Sequence, residues 1–141
     1  MSVVNHVGLA VTDLERSRRF YEDVLGFAFK NEMTVPDAAT TRMFRLAPPV
    51  DMRAAYLVRE GWVLELLSCA SMQPRRERPI NEPGLTHISL SVDDVDAACA
   101  LAEERGGEVL AEQGFPGMVA LIRDPDGQLI ELLPMAYRDT L

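Results

Sequence analysis

Histidine occurs twice in the 141 residues, and both copies sit inside stretches that alternate apolar with polar side chains. In Leu85-Thr86-His87-Ile88-Ser89-Leu90-Ser91-Val92, one side carries Thr86, Ile88, Leu90 and Val92, and the other carries Leu85, His87, Ser89 and Ser91. That is the period-two pattern of a strand with unlike faces. His6 lies in a related stretch, with Val3, Val7, Leu9 and Val11 on one face and His6, Gly8 and Ala10 on the other. Two glutamates are equally out of place: Glu65 within Trp62-Val63-Leu64-Glu65-Leu66-Leu67, and Glu131 within Ile130-Glu131-Leu132. A carboxylate in such a run is costly to bury unless its charge is compensated. Two imidazoles and two carboxylates suit one divalent ion, Zn, Ni, Co, Mn or Fe, with remaining positions open to water or substrate. Taken singly, each residue has an ordinary explanation: a hydrogen-bonded core histidine, or a glutamate that faces solvent or accepts from an arginine.

Repetition favours the metal. A shift of 81 positions aligns His6 with His87, Leu9 with Leu90, Val11 with Val92 and Asp13 with Asp94. A shift of 66 aligns Gly61 and Glu65 with Gly127 and Glu131. The chain is therefore a duplicated unit with one His and one Glu in each copy. From His to Glu is 59 residues in the first copy and 44 in the second, and the surplus of 15 is assigned to residues 33–53.

The elements follow in the same order twice. The first strand is expected over about residues 2–11, then a helix to Leu25 opened by a capping box of Thr12 and Glu15 and closed by Gly26. Phe27–Lys30 begins a strand, Met33–Thr40 reads as a loop around Pro36, and Arg42–Leu46 reads as a short strand. Arg53–Val58 and Trp62–Ser68 are strands joined by a turn at Glu60-Gly61. Residues 70–83, with three prolines and Arg75, Arg76 and Arg78, form the linker. In the second copy Asp93 is expected to cap a helix with Val95, Ala98, Cys99 and Ala102 inward, stopped by Gly106-Gly107. Strands at 108–111, 118–123 and 128–133 follow, the last two joined by Asp124-Pro125-Asp126-Gly127. One domain over 1–141 is expected, divided into a first module of about 1–69, the linker, a second module of about 84–134 and a tail of 135–141.

A composition of 48% hydrophobic and 26% charged residues is that of a globular protein. The net charge of -8 argues against nucleic acid or an anionic membrane as partner. No apolar run reaches the length of a membrane span, and the first residues lack a basic region and a cleavage site. Two cysteines, Cys69 and Cys99, make no disulfide framework. A cytoplasmic protein is expected.

These residues resemble the vicinal oxygen chelate superfamily, which groups glyoxalase I, methylmalonyl-CoA epimerase, extradiol dioxygenases and bleomycin-resistance proteins. The carriers are His6-Val7-Gly8-Leu9-Ala10-Val11-Thr12-Asp13-Leu14, Phe20-Tyr21-Glu22-Asp23-Val24-Leu25-Gly26-Phe27, Gly84-Leu85-Thr86-His87-Ile88-Ser89-Leu90, and Asp124-Pro125-Asp126-Gly127 running to Glu131. The resemblance implies an α+β fold: two βαβββ modules whose sheets join into a curved, half-open barrel around a metal. It also implies a homodimer acting on a small molecule. Glyoxalase I and the epimerases use the ligand position held here by Glu65, whereas extradiol dioxygenases coordinate iron through the other three. Glutathione-dependent glyoxalases carry an Arg four residues beyond the first His and an Asn four beyond the first Glu. This chain has Ala10 and Cys69 there, which leaves the thiol open.

The expected reaction is that of a metal-dependent lyase, isomerase or epimerase. The ion polarises a substrate carbonyl, and a carboxylate moves the adjacent proton through an enediolate. Glu131 is the first choice for that base and Glu65 the second. An iron extradiol dioxygenase and a bleomycin-resistance-type binding protein are the alternatives. Ser89 and Ser91, on the face of His87, are expected to meet a carbonyl or phenol oxygen. Arg45 and Arg53 are the candidates for an anionic substrate tail, with the linker arginines as a second group; a solvated surface explains either group equally.

Overall fold

The computed structural model describes residues 1–140. The chain forms two compact units, one made of Met1–Glu22 and Gly26–Pro74 and the other of Asp23–Leu25 and Arg75 onward. The first contains β1 (Val7–Ala10), α1 (Leu14–Asp23), β2 (Ala28–Val35), α2 (Asp37–Phe44), β3 (Met52–Arg59) and β4 (Trp62–Ser68). The second contains β5 (His87–Val92), α3 (Val95–Glu104), β6 (Glu108–Val109), β7 (Ala120–Arg123) and β8 (Leu129–Pro134). Each unit has one open four-stranded sheet, ordered β1-β4-β3-β2 and β5-β8-β7-β6. In each, the first strand runs parallel to the last, and the other pairings are antiparallel. The α+β class and the repeated strand order thus stand as expected.

β1 is shorter than the expected 2–11: its pairing with β4 begins only at Val7. Val7 pairs with Leu64, so residues before Asn5 would lie beyond the start of β4 at Trp62. His6 precedes the first paired residue although β4 reaches back to Trp62, and His87 opens β5.

Alternation divides each sheet into a buried and a more open face. Val11, Leu64, Leu66, Ala55 and Leu57 are buried on one side of the first sheet, and Val92, Ile122, Ile130 and Leu132 on the matching side of the second. Residues of the helices, Leu14, Phe20 and Tyr21 in α1 and Ala98 and Ala102 in α3, join the buried sets. Burial of a large aliphatic side chain contributes ~1.5–3 kcal/mol, so these faces carry most of the stability.

Three local readings are corrected. Asp13, not Thr12, caps α1: its Oδ1 accepts from the Arg16 backbone N–H at 3.0 Å, while the Thr12 hydroxyl accepts from Arg16 Nη2 at 2.9 Å. Asp94, not Asp93, caps α3 by accepting from Ala97 N–H at 2.9 Å. The two caps occupy positions aligned by the 81-residue shift, so the duplication places the cap better than the motif does. The third correction is larger. Residues 33–46 are not a loop and a strand: β2 continues to Val35, and Asp37–Phe44 is a helix, α2. Pro36 stands just ahead of it, where a missing N–H costs nothing. Thr40 is buried and donates to the carbonyls of Asp37, at 3.0 Å, and Pro36, at 3.4 Å. The surplus length of the first copy lies here, between α1 and β3.

Asp37 ties that insertion to the sheet. Its carboxylate accepts from the backbone N–H groups of Val50, at 3.1 Å, and Asp51, at 3.0 Å, immediately before β3. Replacing Asp37 by Ala leaves both N–H groups without this acceptor and is expected to cost about 2 kcal/mol. A lower urea midpoint with an unchanged slope is the expected reading, and an unchanged midpoint would dismiss the tie.

Candidate metal centre

The open face of the first sheet is set by register. Gly8 on β1 and Tyr56 on β3 both stand beside Glu65 on β4. Glu65 Oε1 accepts from the Tyr56 hydroxyl at 2.6 Å, and its Oε2 lies 3.2 Å from His6 Nε2. The Tyr56 ring also meets the imidazole edge-on, with centroids 6.0 Å apart. A Cβ at Gly8 would stand 3.5 Å from Glu65 Oε2, an ordinary van der Waals contact. The Tyr56–Glu65 register comes from a two-residue turn in which Glu60 and Gly61 both take positive φ, 47° and 84°, the primed geometry that matches strand twist.

The second unit repeats the pair with different support. Glu131 on β8 lies between Ser89 on β5 and Leu121 on β7. Its Oε2 accepts from the Ser89 hydroxyl at 2.6 Å and stands 3.9 Å from His87 Nε2. The Glu131 side chain is 29% exposed, against 13% for Glu65.

Both imidazoles are held the same way. His6 Nδ1 lies 2.7 Å from Asn5 Oδ1, and His87 Nδ1 lies 2.9 Å from Thr86 Oγ1. Asn5 Oδ1 accepts only, so it fixes the proton of a neutral His6 on Nδ1 and leaves the Nε2 lone pair aimed at Glu65. A lone pair facing a carboxylate oxygen at 3.2 Å is repulsive until a proton or a cation stands between them. Histidine ligands to metals are commonly oriented by such a bond on the other ring nitrogen. The donor set and its orientation therefore fit a divalent ion.

The structure brings His6 together with Glu65, and His87 together with Glu131 and Ser89. Among the described residues, no group of three or more His, Cys, Asp and Glu side chains capable of holding a metal is gathered. Ser91 shares the face of Ser89, paired with Leu133. Arg45 is exposed at the C-terminal end of α2 and makes no side-chain hydrogen bond or ion pair among the described residues. Arg53 is not on the open face. Strand alternation places it opposite Tyr56, where it binds Glu32, its Nε 2.8 Å from Oε1, and Glu15, its Nη2 3.3 Å from Oε1. Those two carboxylates hold it in a structural ion pair.

Tyr56, Asn5 and Thr86 are supporting residues to which the sequence reading gives no role in the site. Two of them were visible: Asn5 and Thr86 each precede a histidine and align under the same 81-residue shift. Tyr56 could have been found by counting back across the Glu60-Gly61 turn.

The bond to Glu65, then burial and the carboxylate charge, pushes the Tyr56 phenol up to about 12. A raised phenol stabilises the fold fully below the unfolded value near 10, and this contribution is lost as pH rises toward 12. Titration at the tyrosinate absorption band should show a late component that Tyr56→Phe removes. A difference curve centred near pH 10 would contradict the bond.

A sequence profile of the Glyoxalase/Bleomycin resistance protein/Dioxygenase superfamily matches residues 3–132. The chain is 30% identical over 132 residues to the lactoylglutathione lyase of Salmonella typhimurium, covering 91% of this chain and 89% of that protein. It is 32% identical over 133 residues to the protein YaeR of Escherichia coli, covering 92% and 93%. Among solved structures, a glyoxalase family protein from Bacillus cereus superposes with a TM-score of 0.78 at 20% identity, covering 93% of this chain and 92% of that one, a likeness of fold.

Proposed function

The chain belongs to the Glyoxalase/Bleomycin resistance protein/Dioxygenase superfamily, and on that premise we propose that it is a metal-dependent lyase or isomerase whose ion is held by His6, Glu65, His87 and Glu131. The observation that carries this reading is the arrangement found in both units: an imidazole with Nδ1 occupied by its preceding residue and Nε2 turned to a mid-strand carboxylate. When bound, an ion of the Zn, Ni, Co, Mn or Fe class supplies Lewis-acid polarisation of a carbonyl oxygen.

The chain's own task is to take the proton from the neighbouring carbon and return it. Glu131 suits that task better than Glu65. Its side chain is the more exposed of the two, and its hydrogen-bond partner is a small hydroxyl that can turn toward the substrate. Glu65 is held on one oxygen by the Tyr56 phenol, which leaves Oε2 as the oxygen available for coordination. Return of the proton to the same carbon gives epimerisation, and return to the adjacent carbon gives the glyoxalase type of isomerisation. The name of the Salmonella relative, a lactoylglutathione lyase, supports the second. Ser89 and Ser91 line the same face and offer hydroxyls to a substrate oxygen. By the resemblance the active form is a homodimer.

Two measurements test this. His87→Ala should lose stoichiometric divalent metal by elemental analysis while keeping its far-ultraviolet circular dichroism; retention of one ion per chain would refute the ligand assignment. Light scattering should give about twice the 15.7 kDa chain mass, and a monomer at micromolar concentration would remove the dimer.

A further inference from the structure

The second unit has a cleft of about 630 Å³ on the sheet face of its His–Glu pair, and three arginines are among its lining residues. Leu121, Arg123 and Leu129 form its floor, on the same sheet face as Glu131. Linker residues 75–80 form one side, with Arg75 and Arg78 turned to it, and Thr86, the partner of His87 Nδ1, reaches it too.

Arg75 is placed by a buried framework. Gln128, 9% exposed, donates through Nε2 to the carbonyls of Leu129, at 2.9 Å, and Thr86, at 3.4 Å, which turns its Oε1 to Arg75 Nη1 at 2.7 Å. Gln128 is in turn fixed by its backbone N–H on the carboxylate of Asp124, itself 3% exposed, at 2.7 Å. Arg78 donates to the carbonyls of Pro83 and Leu85 and so closes the linker onto the start of β5. Neither guanidinium has a carboxylate within ion-pair distance among the described residues, and Arg75 spends a single bond on Gln128. Arg123 meets Glu77 at 3.4 Å and Glu108 at 3.8 Å, but the Glu77 side chain is 84% exposed. An exposed pair of that kind contributes little, so an incoming anion can displace it. Glu77 and Asp126 are the carboxylates that line the cleft, against three arginines.

We infer that this cleft binds the anionic end of the substrate, a carboxylate or a phosphate, between Arg75 and Arg123. Arg123 lies two residues along β7 from Leu121, the neighbour of Glu131, a distance of ~7 Å. A compact metabolite can therefore place its reacting carbon at Glu131 and its oxyanion among the guanidiniums, whose paired N–H groups match either anion. Calling the ligand a substrate rests on the proposed reaction at His87 and Glu131.

The test titrates isotope-labelled protein, as purified, with inorganic phosphate, malonate and neutral acetamide at constant ionic strength. Resonances of residues 75–80, Gly127 and the Arg75 and Arg123 side chains are followed by nuclear magnetic resonance. Saturable shifts there with phosphate or malonate, and none with acetamide, are expected; the tighter of the two anions identifies the class. Arg75→Gln and Arg123→Gln should each weaken binding about ten-fold or more. Arg19→Gln, at an exposed position of α1, should not change it. Shifts that fail to saturate, or that persist at equal affinity in both variants with their spectra otherwise intact, would overturn the inference. Metal analysis of the same samples separates the two readings. Saturable anion binding in a protein that takes up no metal refutes the reaction and leaves the cleft; stoichiometric metal without saturable anion binding does the reverse.

Discussion

A carboxylate set in the middle of an apolar strand destabilises a fold unless hydrogen bonds or opposite charge compensate it, and both units are arranged around that constraint. Glu65 and Glu131 each lie on the last strand of their sheet, flanked on both sides by backbone ladders that cannot move aside. Compensation must come from the two neighbouring strands and from the imidazole that opens the parallel partner. The helix-facing side carries the larger apolar side chains, and both carboxylates lie on the other.

The units meet the same demand with opposite halves of their neighbourhoods. In the first, the antiparallel neighbour gives the donor, Tyr56, and the parallel neighbour gives nothing but room, Gly8. In the second, the parallel neighbour gives Ser89 and the antiparallel neighbour is Leu121. A duplicated scaffold has thus kept one His and one Glu per unit while exchanging the side from which each carboxylate is held. One result is a fixed, shielded glutamate beside a rigid phenol, and a more exposed one beside a small hydroxyl.

Much of this was legible in the residues themselves. Period-two alternation around His6 and His87, and apolar runs interrupted by Glu65 and Glu131, identify strands and the faces that matter. Local residue type places the helix caps one residue early, at Thr12 and Asp93, while Asp13 and Asp94 satisfy the backbone geometry. α2 was hidden because Asp37–Phe44 has few large apolar side chains to mark a face; its single buried residue is Thr40, a poor helix former by propensity. Arg53 illustrates a different limit. Its charge was plain, but only the register of β3 shows that it faces Glu15 and Glu32.

The tight turn at Glu60-Gly61 has a consequence for how the protein assembles. Tyr56 and Glu65 are nine residues apart, so the hairpin that joins them can form from a short piece of chain. Ser89 and Glu131 are separated by 42 residues and meet only after a parallel crossover has closed. Loop entropy alone makes the second closure costlier by about 1 kcal/mol. Contacts of low sequence separation form fastest. The first carboxylate is therefore held by a local contact, and the second by one that requires β5 and β8 to have paired.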